Sequence, residues 1–400
     1  MKKFTILFAA IMLVCFAVPA MAVDWNFYGN ARMATFYESR DYGKGLNPAG
    51  TDDKDSQLGW DLQGNSRIGA NIKAESVKAQ FEFGVNEASV SSRRIYGVWD
   101  FGAGKLKVGK DYTPVSQFIS GQVYDGDLGL LGIGTTYGGR HGQIALQFGG
   151  FTIALVNANT GLLRGMASVT STIPYDVTTN ADGDVFVATQ TAKLYTFKGD
   201  PDSYLPKLEV GWGMAFDTWN FGLMGGAQYY SIEDVRSATD GKTNDIDVTS
   251  WIIGADAGVN FGPGYVKAAV SYGQNIGNAA WSIPSGVNGR PNTYQGGLAT
   301  WDGDDDTNDT NTAMAALVGG IKVSDMLAFE AGFGYRHDAT DGGFQYDTSP
   351  WAAYVQSVIT LAPGVYVIPE VGYYDFGDSY INSEDAGDFF YAGAKWQINF

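Results

Sequence analysis

Apolar and polar residues alternate along much of this chain with a period of two. In residues 57–74, one face carries Leu58, Trp60, Leu62, Ile68, Ala70 and Ile72, and the other carries Asp61, Gln63, Asn65, Arg67, Asn71 and Lys73. The same alternation recurs in residues 25–37, 207–216 and 250–261. Because successive side chains of a strand point to opposite faces, the pattern predicts an all-β protein whose strands are apolar on one side.

The length of these runs decides between a soluble sheet and a transmembrane barrel. Each run lasts about ten residues or more with aromatic residues at its ends, which is typical of antiparallel strands that cross a bilayer between two aromatic girdles. After residue 22, no stretch is apolar for long enough to form a membrane helix. A closed barrel also leaves no unpaired sheet edge in hydrocarbon. The sequence therefore predicts a transmembrane antiparallel β-barrel.

Short and long connections alternate along the chain. The short turns are predicted at 75–76, 102–104, 149–150, 217–220, 262–264, 323–326 and 362–364. Longer polar stretches lie near 40–56, 89–93, 112–134, 159–203, 233–247, 277–311, 338–349 and 378–387. Seven turns and eight loops join about 16 strands, with short turns on the periplasmic side and long loops outside. A further hairpin within 159–203 would raise the count to 18, but Pro174 disfavours a spanning strand there.

The first 22 residues have the pattern of a cleaved signal peptide. Two lysines precede a short apolar run that ends in Ala20-Met21-Ala22. We expect residues 23–400 to form one exported barrel domain in the bacterial outer membrane, without Cys15 and therefore without disulfides. The formal charge of −17 becomes −19 when the two lysines leave (−17 − 2). This acidity argues against a nucleic-acid partner.

The last ten residues predict the strand that closes the barrel. Trp396, Ile398 and Phe400 share one face, which we assign to lipid. Lys395 and the alternate residues Gln397 and Asn399 share the other face, which we assign to the lumen.

One stretch, residues 93–134, resembles the general porins of Gram-negative bacteria. In those proteins a strand ends in a glycine, a basic residue and an aromatic residue before a third outer loop that bends into the lumen. The matching run is Gly109-Lys110-Asp111-Tyr112, although the loop lacks the Pro-Glu-Phe-Gly run common in the family. With the strand pattern and the terminal Phe400, the resemblance covers essentially the whole of 23–400. It implies a homotrimeric, water-filled channel in contact with lipopolysaccharide.

The resemblance also implies a constriction in which wall cations face acidic residues of the third loop. Carried over by position, the wall cations are Arg67, Arg94 and Lys110, with Arg32 and Arg140 as weaker candidates. On the loop, Asp125 and Asp127 are the only carboxylates between Tyr112 and Gly134. Lys110 is out of phase with Lys107 and needs a bulge at Gly109 to point inward. Opposed charges across a narrow gap create a transverse field that favours polar solutes.

Two other signals concern metals and catalysis. Asp302, Asp304 and Asp306 lie in an acidic stretch whose oxygens could hold Ca²⁺ weakly, but the spacing is not that of an EF-hand, and a solvated loop is favoured. His141 and His337 are the only histidines, and neither has a local nucleophile or metal-ligand signature. We predict a protein without a cofactor and without enzymatic activity.

The predicted function is passive diffusion of small hydrophilic solutes and ions through the barrel. The acidic balance suggests a preference for cations. Two alternatives remain open at this point, a substrate-specific channel and a plugged barrel with a structural or adhesive role.

Overall fold

The strands of the chain close into a barrel. A computed structural model describes residues 23–41, 43, 54–161, 163, 177–179, 185–187, 200–236, 243–282, 296–302, 306–342, 346–379 and 384–400. The predicted signal peptide, residues 1–22, lies outside the described residues. None of the helices among the described residues has the length and hydropathy that a membrane-spanning helix requires.

The strands of the described residues are numbered in chain order. In the first half they are Asp24–Asp41 (β1), Lys54–Leu62 (β2), Arg67–Ala74 (β3), Val77–Val85 (β4), Val90–Asp100 (β5), Lys105–Tyr112 (β6), Arg140–Phe148 (β7), Phe151–Val156 (β8), Val177–Thr179 (β9), Val185–Val187 (β10), Asp200–Asp202 (β11) and Lys207–Ala215 (β12). In the second half they are Trp219–Arg236 (β13), Thr243–Phe261 (β14), Gly264–Gln274 (β15), Thr300–Trp301 (β16), Thr307–Asn308 (β17), Thr310–Lys322 (β18), Leu327–Thr340 (β19), Tyr346–Thr348 (β20), Trp351–Ala362 (β21), Val365–Asp375 (β22) and Asp388–Asn399 (β23).

Nineteen of these segments form one antiparallel sheet that contains sixteen barrel strands. Three segments continue broken strands, because β2 and β3 pair in turn with β1, β11 and β12 with β13, and β20 and β21 with β19. The first and last strands pair from Asn30↔Asn399 to Asp41↔Asp388. The predicted closing strand is thereby confirmed.

Of the two predicted strand numbers, 16 and 18, the barrel has 16. Within 159–203, β9 and β10 pair only with each other, in a separate two-stranded sheet, and β11 extends the neighbouring barrel strand β12. The seven predicted short turns all separate consecutive barrel strands. The turns and the long loops therefore lie at opposite ends of the barrel, as the alternation predicted.

The outer surface of the barrel is apolar. Trp60 and Leu58 are each 67% exposed, and Ile398 of the closing strand is 54% exposed. Aromatic side chains are exposed at the short-turn end, including Trp25, Phe27, Trp99, Phe148, Phe151, Phe216, Trp219 and Phe261, and at the long-loop end, including Tyr37, Tyr229, Tyr272 and Tyr335. Two aromatic bands around an apolar belt are the surface that a bilayer-spanning barrel presents to lipid.

Candidate functional site: the inward loop and the cationic wall

The loop between β6 and β7, residues 113–139, folds into the barrel, and we call it the inward loop. Ile119, Val123, Leu128, Leu130 and Ile133 of this loop are buried in a core cluster. Their partners in that cluster come from inward-facing positions of the wall, including Phe36, Ala316, Val318, Ala352, Tyr354, Ile368, Tyr374, Phe389 and Tyr391. The inward loop therefore lies against the inner face of β1 and of the strands from β18 to β23. Its apolar side chains are removed from water by packing against this part of the wall.

Three wall carboxylates hold the backbone of the inward loop. The hydrogen bonds run from Val115 N to Glu209 (2.9 Å), from Gly121 N to Glu330 (2.7 Å), and from Val123 N (2.7 Å) and Tyr124 N (2.9 Å) to Glu370. All three carboxylates are buried. Each accepts backbone N–H groups that would otherwise lack a partner inside the barrel, so the loop is held at several points along its length.

A short helix, Tyr124–Asp127 (α1), ends at Asp127. The carboxylate of Asp127 contacts both strands of the barrel seam, which is the place where β1 pairs with β23. Asp127 accepts a hydrogen bond from Lys395 Nζ at 2.8 Å and forms an ion pair with Arg32. Asn65 Nδ2 donates to the same carboxylate at 3.1 Å. Burial by itself would raise the pKa of Asp127, but the Lys395 and Arg32 cations hold that pKa below its usual range.

The position of Asn65 follows from a break in the second barrel strand. Residues 63–66, Gln-Gly-Asn-Ser, form a turn between β2 and β3. Ser66 Oγ replaces the interrupted pairing by accepting from Arg32 N at 2.9 Å and donating to Arg32 O at 3.2 Å. The side chains of Gln63 and Asn65 then reach the inward loop, at the carbonyl oxygens of Val123 and Gly126 respectively.

Glu82 joins two arginines on the neighbouring strands. Arg93 Nε donates to Glu82 at 2.8 Å, and Arg67 Nη1 lies 3.5 Å from the same carboxylate. A bulge explains why Arg93 points inward beside Arg94, because the register of β4 with β5 passes from Glu82↔Arg94 to Phe83↔Ser92 and skips Arg93. Two consecutive arginines therefore face the lumen.

A second pair of cations shares Asp111. Arg94 Nε donates to Asp111 at 2.7 Å, and Lys107 Nζ donates at 2.6 Å. Both cations also lie near Tyr96, with Lys107 Nζ 5.0 Å and Arg94 Cζ 5.3 Å from its ring centroid. The ring of Tyr96 and the shared carboxylate hold both cations in fixed positions on the wall.

Two cavities lie along this part of the wall. The first, of about 370 Å³, is bounded by Arg67, Arg93 and Arg140 together with Asp127, and also by Tyr112, Phe118 and Tyr137. The second, of about 950 Å³, lies at the short-turn end and is bounded by Lys73, Lys78, Lys105 and Lys107, by Asp24, Glu75 and Asp100, and by Tyr96. Of these two cavities the inward loop bounds the first, which lies towards the long-loop ends of the strands. The loop also bounds a smaller cavity of about 290 Å³, which Lys107 and Asp256 line.

The connection between β15 and β18 also contributes to the interior. Trp281 is fully buried, donates to Glu209 from Nε1 at 2.9 Å, and accepts a hydrogen bond at its carbonyl oxygen from Tyr137 N at 3.2 Å. Its neighbours Ile276 and Ala279 are buried in the same cluster. This connection therefore supports the inward loop at Tyr137 and shares the Glu209 carboxylate with it.

Solved structures of outer-membrane channels have the same fold. The outer membrane channel DcaP of Acinetobacter baumannii superimposes with a TM-score of 0.62 at 14% identity, over 94% of this chain and 97% of that chain. The anion-selective porin from Comamonas acidovorans gives 0.55 at 13% identity, over 94% and 100% of the two chains. OmpT of Vibrio cholerae gives 0.53 at 16% identity, over 95% and 99%.

This chain has the outer-membrane porin fold. No protein-family model and no curated protein matches its sequence, so the likeness is one of structure. The apolar belt and aromatic bands of the outer surface agree with this fold, because a bilayer-spanning barrel presents them to lipid. The location in the outer membrane of a Gram-negative bacterium stays a prediction.

The porin barrel brings most of the predicted constriction residues together. Arg67 and Arg140 line the first cavity with Asp127, Arg32 pairs directly with Asp127, and Arg94 lies on the same wall at Asp111. Their role in a constriction stays a prediction. The backbone of Asp125 is part of α1, and its side chain lies outside the described residues.

Lys110 lies away from this group. Its partner across the ladder is Ile95, which is 49% exposed on the outer face, and its neighbour Val108 is 50% exposed on that face. The register stays continuous through Gly109, so the bulge that would turn Lys110 inward is absent between β5 and β6. Lys110 Nζ instead donates to Ser92 O at 2.8 Å.

Several side chains of the site were not singled out from the sequence, among them Glu82, Arg93, Lys107 and Lys395. Glu82 and Lys107 stand at inward positions of clearly alternating strands, and Lys395 was assigned to the lumen but not to a site, so the alternation carried a signal for all three. Arg93 had no such signal, because the bulge reverses its side relative to the pattern.

Binding of Ca²⁺ by the acidic stretch around Asp302 stays a prediction. Asp302 Oδ1 accepts a hydrogen bond from Asp306 N at 3.2 Å, and Asp304 lies outside the described residues. Among the described residues, no three His, Cys, Asp or Glu side chains are grouped closely enough to hold a metal ion. Neither His141 nor His337 lines the two cavities.

Proposed function

We propose that this porin forms a water-filled channel through which small hydrophilic solutes and ions diffuse passively, and that the inward loop narrows it. The observation that carries the proposal is the attachment of the loop to the inner wall by Glu209, Glu330 and Glu370. A loop held in this way occupies one side of the lumen. The charged wall of β3–β7 remains on the other side, where the two cavities lie.

The same proposal includes the assembly and the surroundings of the barrel. We propose a homotrimer in contact with lipopolysaccharide, with weakly bound Ca²⁺ at the outer acidic loop. OmpT of Vibrio cholerae, which shares the fold, has been solved in a trimer form. Light scattering of the detergent-solubilised protein tests the trimer, and a monomer mass after correction for detergent contradicts it.

Planar-bilayer recording tests whether a channel exists. Steady, ohmic current steps after insertion of the purified protein support the proposal, and liposome swelling with neutral sugars of increasing size measures the width. A plugged barrel gives neither a steady current nor swelling with the smallest sugars. Protein unfolded by boiling is the control for leakage caused by detergent.

A single introduced cysteine tests whether the inward loop lies beside the current path. Phe118 of the loop lines the first cavity and is 53% exposed, and the chain has one natural cysteine, Cys15, in the predicted signal peptide. We expect a charged thiol reagent to reduce the conductance of Phe118→Cys. The same reagent on Ser89→Cys, in the exposed connection between β4 and β5, should leave the conductance unchanged. Equal conductance of both modified variants would contradict the narrowing.

A further inference from the structure

The inward wall of β3–β7 carries a strip of cations that its carboxylates do not balance. We call Arg67, Arg93, Arg94, Lys107 and Arg140 the cationic strip. Glu82 forms ion pairs with Arg67 and Arg93, and Asp111 forms ion pairs with Arg94 and Lys107. Among the described residues, no carboxylate pairs with Arg140. Five cations and two carboxylates leave a local charge of +3 (5 − 2), of opposite sign to the formal charge of the whole chain. Asp127 also lines the first cavity, but its ion pairs are with Arg32 and Lys395, outside the strip.

Aromatic rings contact three cations of this strip. Lys107 and Arg94 both lie near Tyr96, at 5.0 and 5.3 Å from its centroid. Arg94 and Arg140 lie near Tyr112 in turn, at 5.4 and 5.3 Å. The alternating column runs from the long-loop end of β7 to the short-turn end of β6. Ring contacts do not neutralise a cation, so the column keeps its charge while it restricts the side chains.

Arg140 has hydrogen-bonding capacity left over. Its Nη1 atom is buried and has no partner among the described residues, and its side chain lines the first cavity beside Arg67. A guanidinium presents a planar set of N–H donors that fits both oxygens of a carboxylate. A buried donor without a partner gains free energy when a ligand supplies the acceptor.

We infer that this channel prefers anions and that the cationic strip binds small carboxylates on their way through the lumen. The inference rests on the proposed channel function, and it reverses the cation preference suggested by the acidic composition. Permeant ions respond to the charges within about 10 Å at 0.1 M salt, so carboxylates on distant outer loops are screened. Unlike those loops, four residues of the strip line the cavities, Arg67, Arg93 and Arg140 the first and Lys107 the second.

The reversal potential in a KCl gradient measures the preference. We expect the wild-type channel to be anion-selective, and each of Arg94→Gln and Arg140→Gln to lower the chloride-to-potassium permeability ratio on the order of threefold, as loss of one charge a few ångströms from the ion predicts. Arg140→Lys keeps the charge and should keep the reversal potential. Lys110→Gln is the matched control, because it removes a cation from the outer face of the same region and should change nothing.

Carboxylate binding has a separate readout. In proteoliposomes, succinate should enter faster than a neutral sugar of similar size, and Arg140→Gln should reduce this advantage while sugar entry stays the same. Barrel formation of each variant is checked by its heat-modifiable mobility on gels, so that a folding defect is recognised.

The outcomes separate the two proposals. Absence of current from the folded wild-type protein overturns the channel itself. A steady current that is cation-selective, or anion selectivity that both strip variants leave unchanged, overturns the inference about the strip while the channel stands. Anion selectivity with equal entry of succinate and sugar overturns the carboxylate site.

Discussion

Replacing Asp127 with asparagine removes the carboxylate of the inward loop that contacts both strands of the barrel seam, β1 and β23. In the folded protein this carboxylate accepts from Lys395 Nζ at 2.8 Å and pairs with Arg32. The side chains of these two cations are only 7% and 10% exposed. An asparagine has nearly the same shape, so the substitution removes charge and leaves packing almost unchanged.

The expected cost follows from the burial of the two cations. Removing one partner from a buried ion pair costs about 3–5 kcal/mol, because the remaining charge stays buried without compensation. The Asp127 side chain is 27% exposed, so water offsets part of this loss, and we expect about 2–3 kcal/mol. For a chain of 400 residues, that free energy corresponds to a fall of roughly 3 °C in the melting temperature.

Thermal unfolding in detergent, followed by circular dichroism, measures the change, and single-channel recording shows whether the freed end of α1 makes the current noisier. Asp325→Asn is the matched control, because Asp325 pairs with Lys322 at 2.7 Å in a short turn while its side chain is 98% exposed. Exposed pairs contribute little to stability. If Asp127→Asn melts and conducts like the Asp325→Asn control, the anchoring role of this carboxylate is refuted.

Three further predictions concern the inward loop. Glu370→Gln should lower the melting temperature and make the inward loop more sensitive to protease, because the amide is a weaker acceptor than the carboxylate for the two loop N–H groups. A variant as resistant to protease as the wild type would contradict this. Gly134→Ala should reduce the refolding yield, because the φ angle of residue 134 is +108° and the new Cβ would lie 2.6 Å from Gly334 Cα. Gly142 has open space around it, so the control variant Gly142→Ala should refold normally. Because the folded-state pKa of Asp127 is lowered, its stabilisation is fully present above the ordinary carboxyl value of about 3.9 and is lost as the pH falls through the lower folded value. The difference in melting temperature between wild type and Asp127→Asn should therefore be independent of pH from pH 5 to 8 and should disappear only in stronger acid.

The barrel could be predicted because its signals are local. A period of two fixes which residues face lipid, and the alternation of short turns with long loops gives the strand number. The lumen assignment of Lys395 needed nothing beyond this pattern, and the hydrogen bond from Lys395 to Asp127 of the inward loop agrees with it.

The site could be predicted only in part because its geometry depends on local backbone departures from the pattern. The sequence placed Lys110 in the lumen by assuming a bulge at Gly109, whereas the bulge lies at Arg93 on the neighbouring strand. One extra residue in a strand changes the face of its neighbours, and either position is compatible with the sequence. The attachments of the loop were equally inaccessible, because Gly121 and Val123 bind carboxylates 209 and 247 residues away in the chain.

Those attachments also explain why the net charge is a poor guide to selectivity. Glu209, Glu330 and Glu370 count fully in the formal charge, yet each is buried and accepts hydrogen bonds from the loop backbone. None of the three carboxylates lines either cavity, so each lies farther from a permeant ion there than the cations that do, and the Coulomb interaction falls with distance. Four carboxylates, Asp24, Glu75, Asp100 and Asp127, do line the two cavities, beside the larger set of cations Arg67, Arg93, Arg140, Lys73, Lys78, Lys105 and Lys107. If the channel prefers anions as we infer, this local excess of cations determines which ions pass, although carboxylates outnumber cations in the whole chain.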